Sequence, residues 1–323
     1  MQSATRRAAA SLRIARARAL RPPLRSIATA AAAPSIRDLL HSATADSPLK
    51  DAVKFMGYAN ENATVWTYSQ LASHVSALST GLSHLNYSQN DAILTLLPAD
   101  SPEYTVLLLA ASQLGISIIP LPTPADPQTV DVDALKAALN EHRPAALVIH
   151  SSCSVPEHAD SSRILAASNS VVNALDPSIA LNDAAGLLGF VPLTGRPFYS
   201  AQFPFLRHIV STDDVNARGT ITLRSLLVYS GESPYTASEA PLLITSAGQA
   251  SQSQLIADAE KLCTKMSISS DPLAKEGKLV TKPALSTTSA TSLVASIMKH
   301  ALWVTSADRD KTEVAASENA LVV

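Results

Sequence analysis

Apolar residues recur at helical spacing in the stretch that follows Thr67. From Leu71 to Leu85 the apolar positions stand three or four residues apart, which places them on one face of a helix. Thr67 directly precedes this pattern, and threonine is one of the residues that favour the N-cap position. The pattern therefore predicts an amphipathic helix from Tyr68 to about Leu85.

Short apolar runs alternate with helical stretches along the first half of the chain. The run from Asp91 to Leu97 is typical of them, because it is largely apolar and is followed by Pro98. Strands of a parallel sheet are buried on both faces and carry this kind of pattern. The alternation predicts an α/β fold in which a parallel-rich sheet is flanked by helices. Its predicted elements are strands at 91–97, 116–121 and 145–149 and helices at 68–85, 101–115 and 131–142.

The second half of the chain is harder to divide into elements. Residues 151–205 are rich in Ser, Asn, Asp and Pro, which predicts a loop-rich insertion with one helical stretch near 161–175. Thr222–Val228 fits a helix and a strand equally well. The other predicted elements are strands at 206–210 and 241–245, helices at 253–266 and 291–302, and a polar tail over 307–323 that follows a domain of residues 35–306.

The amino-terminal segment is strongly basic. The first 37 residues contain eight arginines and no acidic residue, and most of the remainder is Ala, Ser and Leu. This composition is typical of a mitochondrial transit peptide, and the alternatives are a disordered basic tail or a nucleic-acid-binding arm. We expect a transit peptide over residues 1–34, cleaved between Arg25 and Pro34.

Charge then argues against a general nucleic-acid-binding protein. Loss of the seven arginines in residues 1–25 changes the formal net charge from −2 to −9. Nucleic-acid binding needs clustered positive charge, which so acidic a chain does not supply in general.

The sequence also lacks a run of 18 apolar residues, so no transmembrane helix is predicted. Its two cysteines, Cys153 and Cys263, are too few for a disulfide framework.

Other candidate chemistry in the sequence is weak. His150, Cys153 and His158 follow a predicted strand at spacings that metal ligands use, but no fourth ligand is evident. A Gly-x-Ser-x-Gly nucleophile elbow does not occur in the sequence. Trp66 and Trp303 are predicted to lie in the core. We therefore predict no metal site and no catalytic residue.

The order of the predicted elements resembles the N-terminal region of the adenylate-forming (AMP-binding, acyl-CoA synthetase-like) superfamily. The resemblance covers roughly residues 50–305, with its motifs from Trp66 onward, and implies the N-terminal α/β subdomain of that superfamily. The segments that carry it are Thr67–Leu82, Asn90–Pro98, Glu103–Leu121, Ala146–Ile149 and Leu206–Thr212.

The superfamily's ATP-binding loop has a counterpart after the strand at 241–245. In the superfamily this strand runs into a Ser/Thr/Gly-rich loop that ends in Gly-x-Pro-Lys and wraps ATP. By resemblance, alanines replace glycines and Gln252-Ser253 replaces Pro-Lys. Glycines let backbone N–H groups approach phosphates, and the lysine adds charge. The resemblance thus implies a degenerate phosphate loop formed by Thr245, Ser246, Ala247, Gly248 and Gln249.

These observations predict a truncated, non-catalytic member of the superfamily that is an accessory or structural subunit of a larger mitochondrial complex. We expect protein partners in the matrix or on the matrix face of the inner membrane. No cofactor is expected, and ATP or AMP would be the cofactor if the loop is competent. The alternatives are an acyl-CoA ligase that forms an acyl-adenylate and then a thioester, a nucleotide or acyl sensor without turnover, and a decayed gene copy.

Overall fold

Two parallel-rich sheets with a layer of helices between them form the fold. The computed structural model describes residues 34–56, 63–121, 130–151, 153, 168–175, 200–212, 220–230, 234–236, 238–271, 277–281, 285–306 and 320–322. All of them belong to one unit, Pro34–Val323. In chain order the elements are α1 (Ile36–Asp46), β1 (Asp51–Met56), β2 (Thr64–Thr67), α2 (Tyr68–His84), β3 (Ala92–Leu96), α3 (Pro102–Leu114), β4 (Ser117–Pro120), α4 (Val132–His142), β5 (Ala146–Ile149), α5 (Ser168–Leu175), β6 (His208–Ser211), β7 (Thr220–Thr222), a 3-10 helix (Leu223–Leu226), β8 (Pro241–Thr245), β9 (Gly248–Ser251), α6 (Gln252–Met266), β10 (Lys278–Thr281), α7 (Thr287–Met298), β11 (Leu302–Ser306) and β12 (Leu321–Val322).

The larger sheet has seven strands in the order β7-β6-β5-β3-β4-β8-β9. Its strands are parallel except for β9, which runs antiparallel to β8. Ile93 and Ile118 point to one face and pack with α2 and α3. Leu94 and Leu147 point to the other face, where they pack with α4 and α5. Both faces of the larger sheet are therefore buried, as we predicted from the apolar character of its strands.

The smaller sheet has five strands in the order β12-β10-β11-β1-β2. Only β2 runs antiparallel to its neighbour. The pairing of β1 with β11 joins Val53 to Trp303, so distant parts of the chain lie side by side. Strands this far apart in sequence leave no local signal of their pairing.

Side-chain caps define where the main helices begin. Thr67 accepts a hydrogen bond from the backbone N–H of Gln70, whose side chain accepts one from the Thr67 N–H, and together they form a capping box. Ser101 and Asp131 cap α3 and α4 in the ordinary way. Gly115 ends α3 with φ of 69°, a left-handed conformation that glycine adopts readily.

Tyr68 joins the start of α2 to α7 and to the residue before β11 through hydrogen bonds. Its side chain is fully buried, and its hydroxyl lies 2.9 Å from the carbonyl oxygen of Ala301 and 3.2 Å from that of Ser296. The first acceptor precedes β11 and the second lies in α7. The start of α2 is thus joined to elements that lie far along the chain.

The predicted α/β class is confirmed, whereas several predicted details were wrong. The sequence predicted one sheet, and the structure has two because β1, β2, β10, β11 and β12 pair separately. The ambiguous stretch at 222–228 contains the 3-10 helix. The last predicted helix, 291–302, runs instead from Thr287 to Met298, and Leu302 begins β11.

Some predictions lie wholly or partly outside the described residues. The transit peptide predicted over 1–34 is outside them except for Pro34, and so are residues 307–319 of the predicted polar tail. Within the predicted insertion 151–205, α5 forms the carboxyl-terminal half of the helical stretch near 161–175. These domain boundaries stay predictions.

Candidate functional site

The predicted phosphate-loop residues lie in a hairpin at the carboxyl end of β8. This strand ends at Thr245 and β9 begins at Gly248, so only Ser246 and Ala247 form the turn. Thr245 and Gly248 are partners across the hairpin, and the Thr245 hydroxyl donates to the Gly248 carbonyl oxygen over 3.0 Å. Two-residue turns are the commonest connection between antiparallel strands.

The hairpin replaces the open loop that the sequence predicted before the next helix. Gln249 lies in β9, and Ser251 caps α6. Gln252 occupies the first turn of α6, and its Oε1 accepts a hydrogen bond of 3.3 Å from the backbone N–H of Ile36. Because residues after the turn pair back onto β8, they do not form a separate cradle. The expectation that this segment binds no nucleotide stays a prediction.

Gly248 is required by the backbone conformation of the hairpin. Its φ is 143°, which side chains rarely allow, while a Cβ atom built there would meet no atom within 4 Å. Glycine is the residue that adopts such a conformation with least strain. The hairpin geometry therefore accounts for this glycine.

A cavity of about 760 Å³ opens beside the hairpin. It lies at the carboxyl ends of β4 and β8, the edge at which open α/β sheets usually bind ligands. Ile119–Leu121 form one side, α4 forms a second side, and Ile244–Gln249 form the third. Leu285, close to the start of α7, completes the lining. This volume is in the range of small-molecule sites.

Among the described residues that line this cavity, the charged groups offer little to a nucleoside triphosphate. Glu141 and His142 are the titratable residues among the described ones that line it, and neither lysine nor arginine is among them. Phosphate oxygens are usually bound by cationic side chains, N–H donors or a metal ion. The described part of the cavity therefore presents a carboxylate without a compensating cation.

The residues considered as metal ligands are not brought together as a site. Cys153 is buried, and its thiol donates to the carbonyl oxygen of Leu96 over 3.3 Å. His150 is buried near it in sequence, and His158 lies outside the described residues. Within the described ranges, no group of three His, Cys, Asp or Glu residues could hold a metal ion.

A second cavity, of about 390 Å³, was missed by the sequence analysis. It is lined by Trp66, His74 and residues of α3 and the 3-10 helix. Trp303 lies in the core as predicted, while Trp66 is half-buried and faces this cavity. One signal was present in the sequence, because His74 stands three residues after Leu71 and four before Leu78. It therefore interrupts the apolar face of α2.

A partly buried polar network lies at the amino ends of β3, β5 and β6. The Tyr87 hydroxyl lies 2.7 Å from Nδ1 of His208, and the Arg207 guanidinium lies 4.5 Å above the Tyr87 ring centroid. Arg207 also forms an ion pair of 2.8 Å with Asp91. Burial raises the pKa of Tyr87, and burial with the nearby Arg207 charge lowers the pKa of His208. None of these residues lines either cavity.

Comparison with known proteins finds a family similarity in the amino-terminal half of the chain. Residues 40–187 match the family described as AMP-binding enzyme. The matched stretch is a little less than half of the chain, and over it the chain is similar to that family. The match ends before the β8–β9 hairpin and includes strands of both sheets, from β1 to β5.

A curated protein similar to part of this chain is named as a ligase. The chain is 32% identical over 132 residues to a 4-coumarate–CoA ligase of Vanilla planifolia. The aligned region is 41% of this chain and 22% of that ligase. The chain thus matches about a fifth of its relative's length.

Solved structures of ligases share the fold over most of the chain. Coronafacic acid ligase from Pectobacterium brasiliense has a TM-score of 0.59 at 12% identity, over 88% of this chain and 47% of its own. A fatty acyl CoA synthetase of Mycobacterium tuberculosis has a TM-score of 0.56 at 15% identity, with the same two coverages. Both likenesses confirm the acyl-CoA synthetase-like fold. This chain spans about half the length of each.

The helices of the structure were also compared with the requirements of a membrane span. Among those formed by the described residues, none combines the length and the apolar character that crossing a membrane needs.

Proposed function

We propose that this chain is a non-catalytic relative of the acyl-CoA ligases and an accessory subunit of a mitochondrial assembly. The proposed lack of catalytic activity rests on the two-residue turn between Thr245 and Gly248. By resemblance, the superfamily places its ATP-binding loop here.

Simple geometry explains why such a turn binds phosphate poorly. A phosphate-binding loop surrounds the anion with several backbone N–H groups and adds a cation. Here Ser246 and Ala247 alone separate two paired strands. The adjacent cavity adds the carboxylate of Glu141, which would repel a polyphosphate. Both features favour a protein without adenylating activity.

ATP–pyrophosphate exchange tests this proposal directly. The purified chain without residues 1–33 is incubated with ATP, magnesium, labelled pyrophosphate and a panel of aromatic and fatty carboxylic acids. We expect no exchange above that of heat-denatured protein. The Vanilla planifolia ligase, assayed in parallel, shows that the conditions support adenylation. Acid-dependent exchange by this chain would contradict the proposal and favour the ligase alternative.

The accessory role rests on the basic amino-terminal segment and on a sheet edge to which the described residues add no further strand. Residues 1–37 have the composition of a transit peptide. In the five-stranded sheet, β2 is an edge strand, and Val65 on it is 38% exposed. Edge strands offer backbone groups for pairing with another chain. Both features are consistent with an imported protein that docks onto a partner.

Native electrophoresis of gently solubilised mitochondria tests the accessory role. An antibody to the chain should detect it in a band much larger than the 33.9 kDa of the whole chain. Mass spectrometry of that band would name the assembly, and amino-terminal sequencing would locate the cleavage site. Migration as a monomer, or absence from mitochondria, would overturn this part of the proposal.

The 760 Å³ cavity favours a sensor without turnover as the second candidate. A ligand that binds only the folded state raises the melting temperature as its concentration increases. A thermal-shift screen with AMP, ATP and several acyl-CoAs would support this candidate if one of them stabilises the chain while exchange remains absent. Stabilisation by none of them would leave the accessory role alone.

A further inference from the structure

The cavity of about 390 Å³ is a candidate binding site that the proposed function does not use. Its lining comes from β2 of the smaller sheet, from α2 and the start of α3, and from the 3-10 helix after β7. Thr212, directly after β6, also contributes. The cavity therefore lies where the smaller sheet meets the carboxyl ends of strands in the larger sheet. Such junctions are common places for small-molecule sites.

Aromatic rings form one side of this cavity. The ring centroids of Trp66 and His74 lie 4.9 Å apart with their planes tilted by 48°. Nδ1 of His74 lies 3.1 Å from the hydroxyl of Tyr229, which holds the imidazole in place. Burial lowers the pKa of His74 and so favours the neutral form of the imidazole. Flat rings at this spacing suit contact with another planar ring.

Aliphatic side chains form another part of the lining of this cavity. Leu78 of α2 and Val106 of α3 face it, and Leu227 follows from the 3-10 helix. Leu78 and Val106 are almost fully buried, so they form a firm apolar surface. A ligand that fills this space must be largely apolar, because few polar groups would be satisfied against it.

The polar groups in the lining are balanced in charge. Thr64 and Thr212 supply hydroxyl groups. Oγ1 of Thr212 accepts a hydrogen bond of 2.8 Å from the backbone N–H of Ser151, so its own proton remains to be donated in another direction. Glu103 and Arg224 contribute one negative and one positive charge. Equal and opposite charges give no net attraction for an anion or a cation.

The wall formed by the 3-10 helix is fixed against α2. A Cβ atom at Gly81 would lie 1.8 Å from the carbonyl oxygen of Leu226, so the two helices touch through backbone atoms. The backbone N–H of Val228 also donates to the carbonyl oxygen of Ala77 over 3.1 Å. A preformed wall reduces the ordering cost of binding.

We propose that this cavity binds a small, neutral, planar aromatic molecule that carries one hydroxyl or carbonyl group. Its ring would lie against Trp66 and His74, and its polar group would bond a threonine hydroxyl. No residue that lines this cavity also lines the one beside the β8–β9 hairpin. The two sites are therefore independent, and failure of one proposal leaves the other standing.

Fluorescence and calorimetry with 4-methylphenol test the proposal. The chain contains two tryptophans, Trp66 in the cavity and Trp303 in the core. We expect saturable one-to-one binding of 4-methylphenol that quenches tryptophan fluorescence. Trp66→Phe should abolish the quenching, because Trp303 is not in the cavity. Non-saturable binding, or quenching that persists in Trp66→Phe, would overturn the proposal.

Two phenylalanine substitutions on β2 provide matched variants. Thr64→Phe places a ring in the cavity, whereas Val65→Phe places it on the opposite, exposed side of the same strand. Thr64→Phe should weaken binding by about tenfold or more, and Val65→Phe should leave it unchanged. Equal affinity in the two variants would place the site elsewhere. If Thr64→Phe does not fold, Leu227→Phe narrows the cavity from its other wall.

A non-aromatic analogue separates ring recognition from simple apolar burial. Cyclohexylmethanol has a hydroxyl and a similar apolar volume but no aromatic face. We expect it to bind about threefold to tenfold more weakly than 4-methylphenol, the gain that ring contacts usually give. Equal affinity would overturn the aromatic class of ligand. The ionised 4-hydroxybenzoate should bind more weakly as well, and tighter binding would overturn the preference for a neutral molecule.

Discussion

His208 is a single buried residue that makes the stability of the fold depend on pH. Its Nδ1 meets the Tyr87 hydroxyl, and Arg207 and Asp91 are the charged residues of the same network. Because its pKa is lowered in the folded state, the unfolded chain binds the proton more readily. The stability that the neutral imidazole contributes is therefore present above a pH of about 6.5 and is lost as the pH falls toward and below the folded pKa.

His208→Gln should make the free energy of unfolding less dependent on pH. Urea denaturation at about pH 7.5 and about pH 5.5 would measure this, since the wild-type chain should lose more stability on acidification than the variant. His74 also has a lowered pKa, so His74→Gln serves as a comparison. An equal loss in the wild-type chain and in both variants would show that neither histidine carries the effect.

Thr67→Ala should remove the capping box of α2. The Thr67 side chain accepts from the Gln70 N–H over 3.3 Å, and the loss should cost about 1 kcal/mol of the free energy of unfolding. Ser69→Ala is the matched control, because Ser69 is exposed in the first turn of the same helix. Chemical denaturation compares the two, and an equal effect would mean that the cap contributes little.

The role of a helix-capping residue could be predicted from the sequence, whereas the residues that line the cavity could not. Thr67 was predicted as an N-cap from its place before an apolar pattern, and the structure confirms it. Trp66 was predicted as core because a large aromatic residue is usually buried. Its contact with a cavity depends on His74 and on the 3-10 helix, which lies far along the chain.

At the scale of elements, the contact between α2 and the 3-10 helix depends on one small residue. Gly81 leaves room for the carbonyl oxygen of Leu226, and any Cβ atom would overlap it. Leu223 and Leu227, which line the smaller cavity, are held by this contact. The shape of the cavity therefore follows from a helix-to-helix approach rather than from its own side chains.

Gly81→Ala should displace the 3-10 helix and destabilise the fold. Overpacking of this kind typically costs about 1–3 kcal/mol, despite the better helix propensity of alanine. Thermal unfolding of the variant measures the loss, with Ser83→Ala in the same helix as the control for propensity. An unchanged or higher melting temperature for Gly81→Ala would contradict the close backbone approach.

Strand β9 explains the main failure of sequence reasoning at this scale. Residues Gly248–Ser251 are polar or small, so they show no strand pattern. They form a strand because β8 is apolar and a two-residue turn brings them alongside it. In contrast, β3, β4 and β5 were predicted correctly because their apolar runs are buried on both faces.

At the scale of the whole molecule, the two sheets share one core. Buried residues of both sheets and of the helices between them pack in a single cluster, which contains Ile93 and Ile118 from one sheet and Val53 and Trp303 from the other. Sequence reasoning could not find this, because the pairing of β1 with β11 closes a loop of most of the chain. Because the two sheets share one core, we expect them to unfold together.

The two sheets should therefore unfold in one transition. Tryptophan fluorescence reports on the five-stranded sheet, where Trp66 and Trp303 lie. Thiol labelling of Cys153 in a Cys263→Ser variant reports on the other sheet, since Cys153 is buried against Leu96 of β3. Both probes should give the same denaturant midpoint. Labelling of Cys153 at a clearly lower denaturant concentration than the fluorescence change would show separate unfolding.

The β8–β9 hairpin has a consequence for solubility. A parallel sheet that ended at the apolar strand β8 would expose unpaired backbone groups with which a second copy of the chain could pair. The short, polar β9 covers that edge, with Gly248 and Gln249 facing solvent. The same two-residue turn that we propose binds no phosphate thus gives the larger sheet a polar outer strand in place of an apolar one.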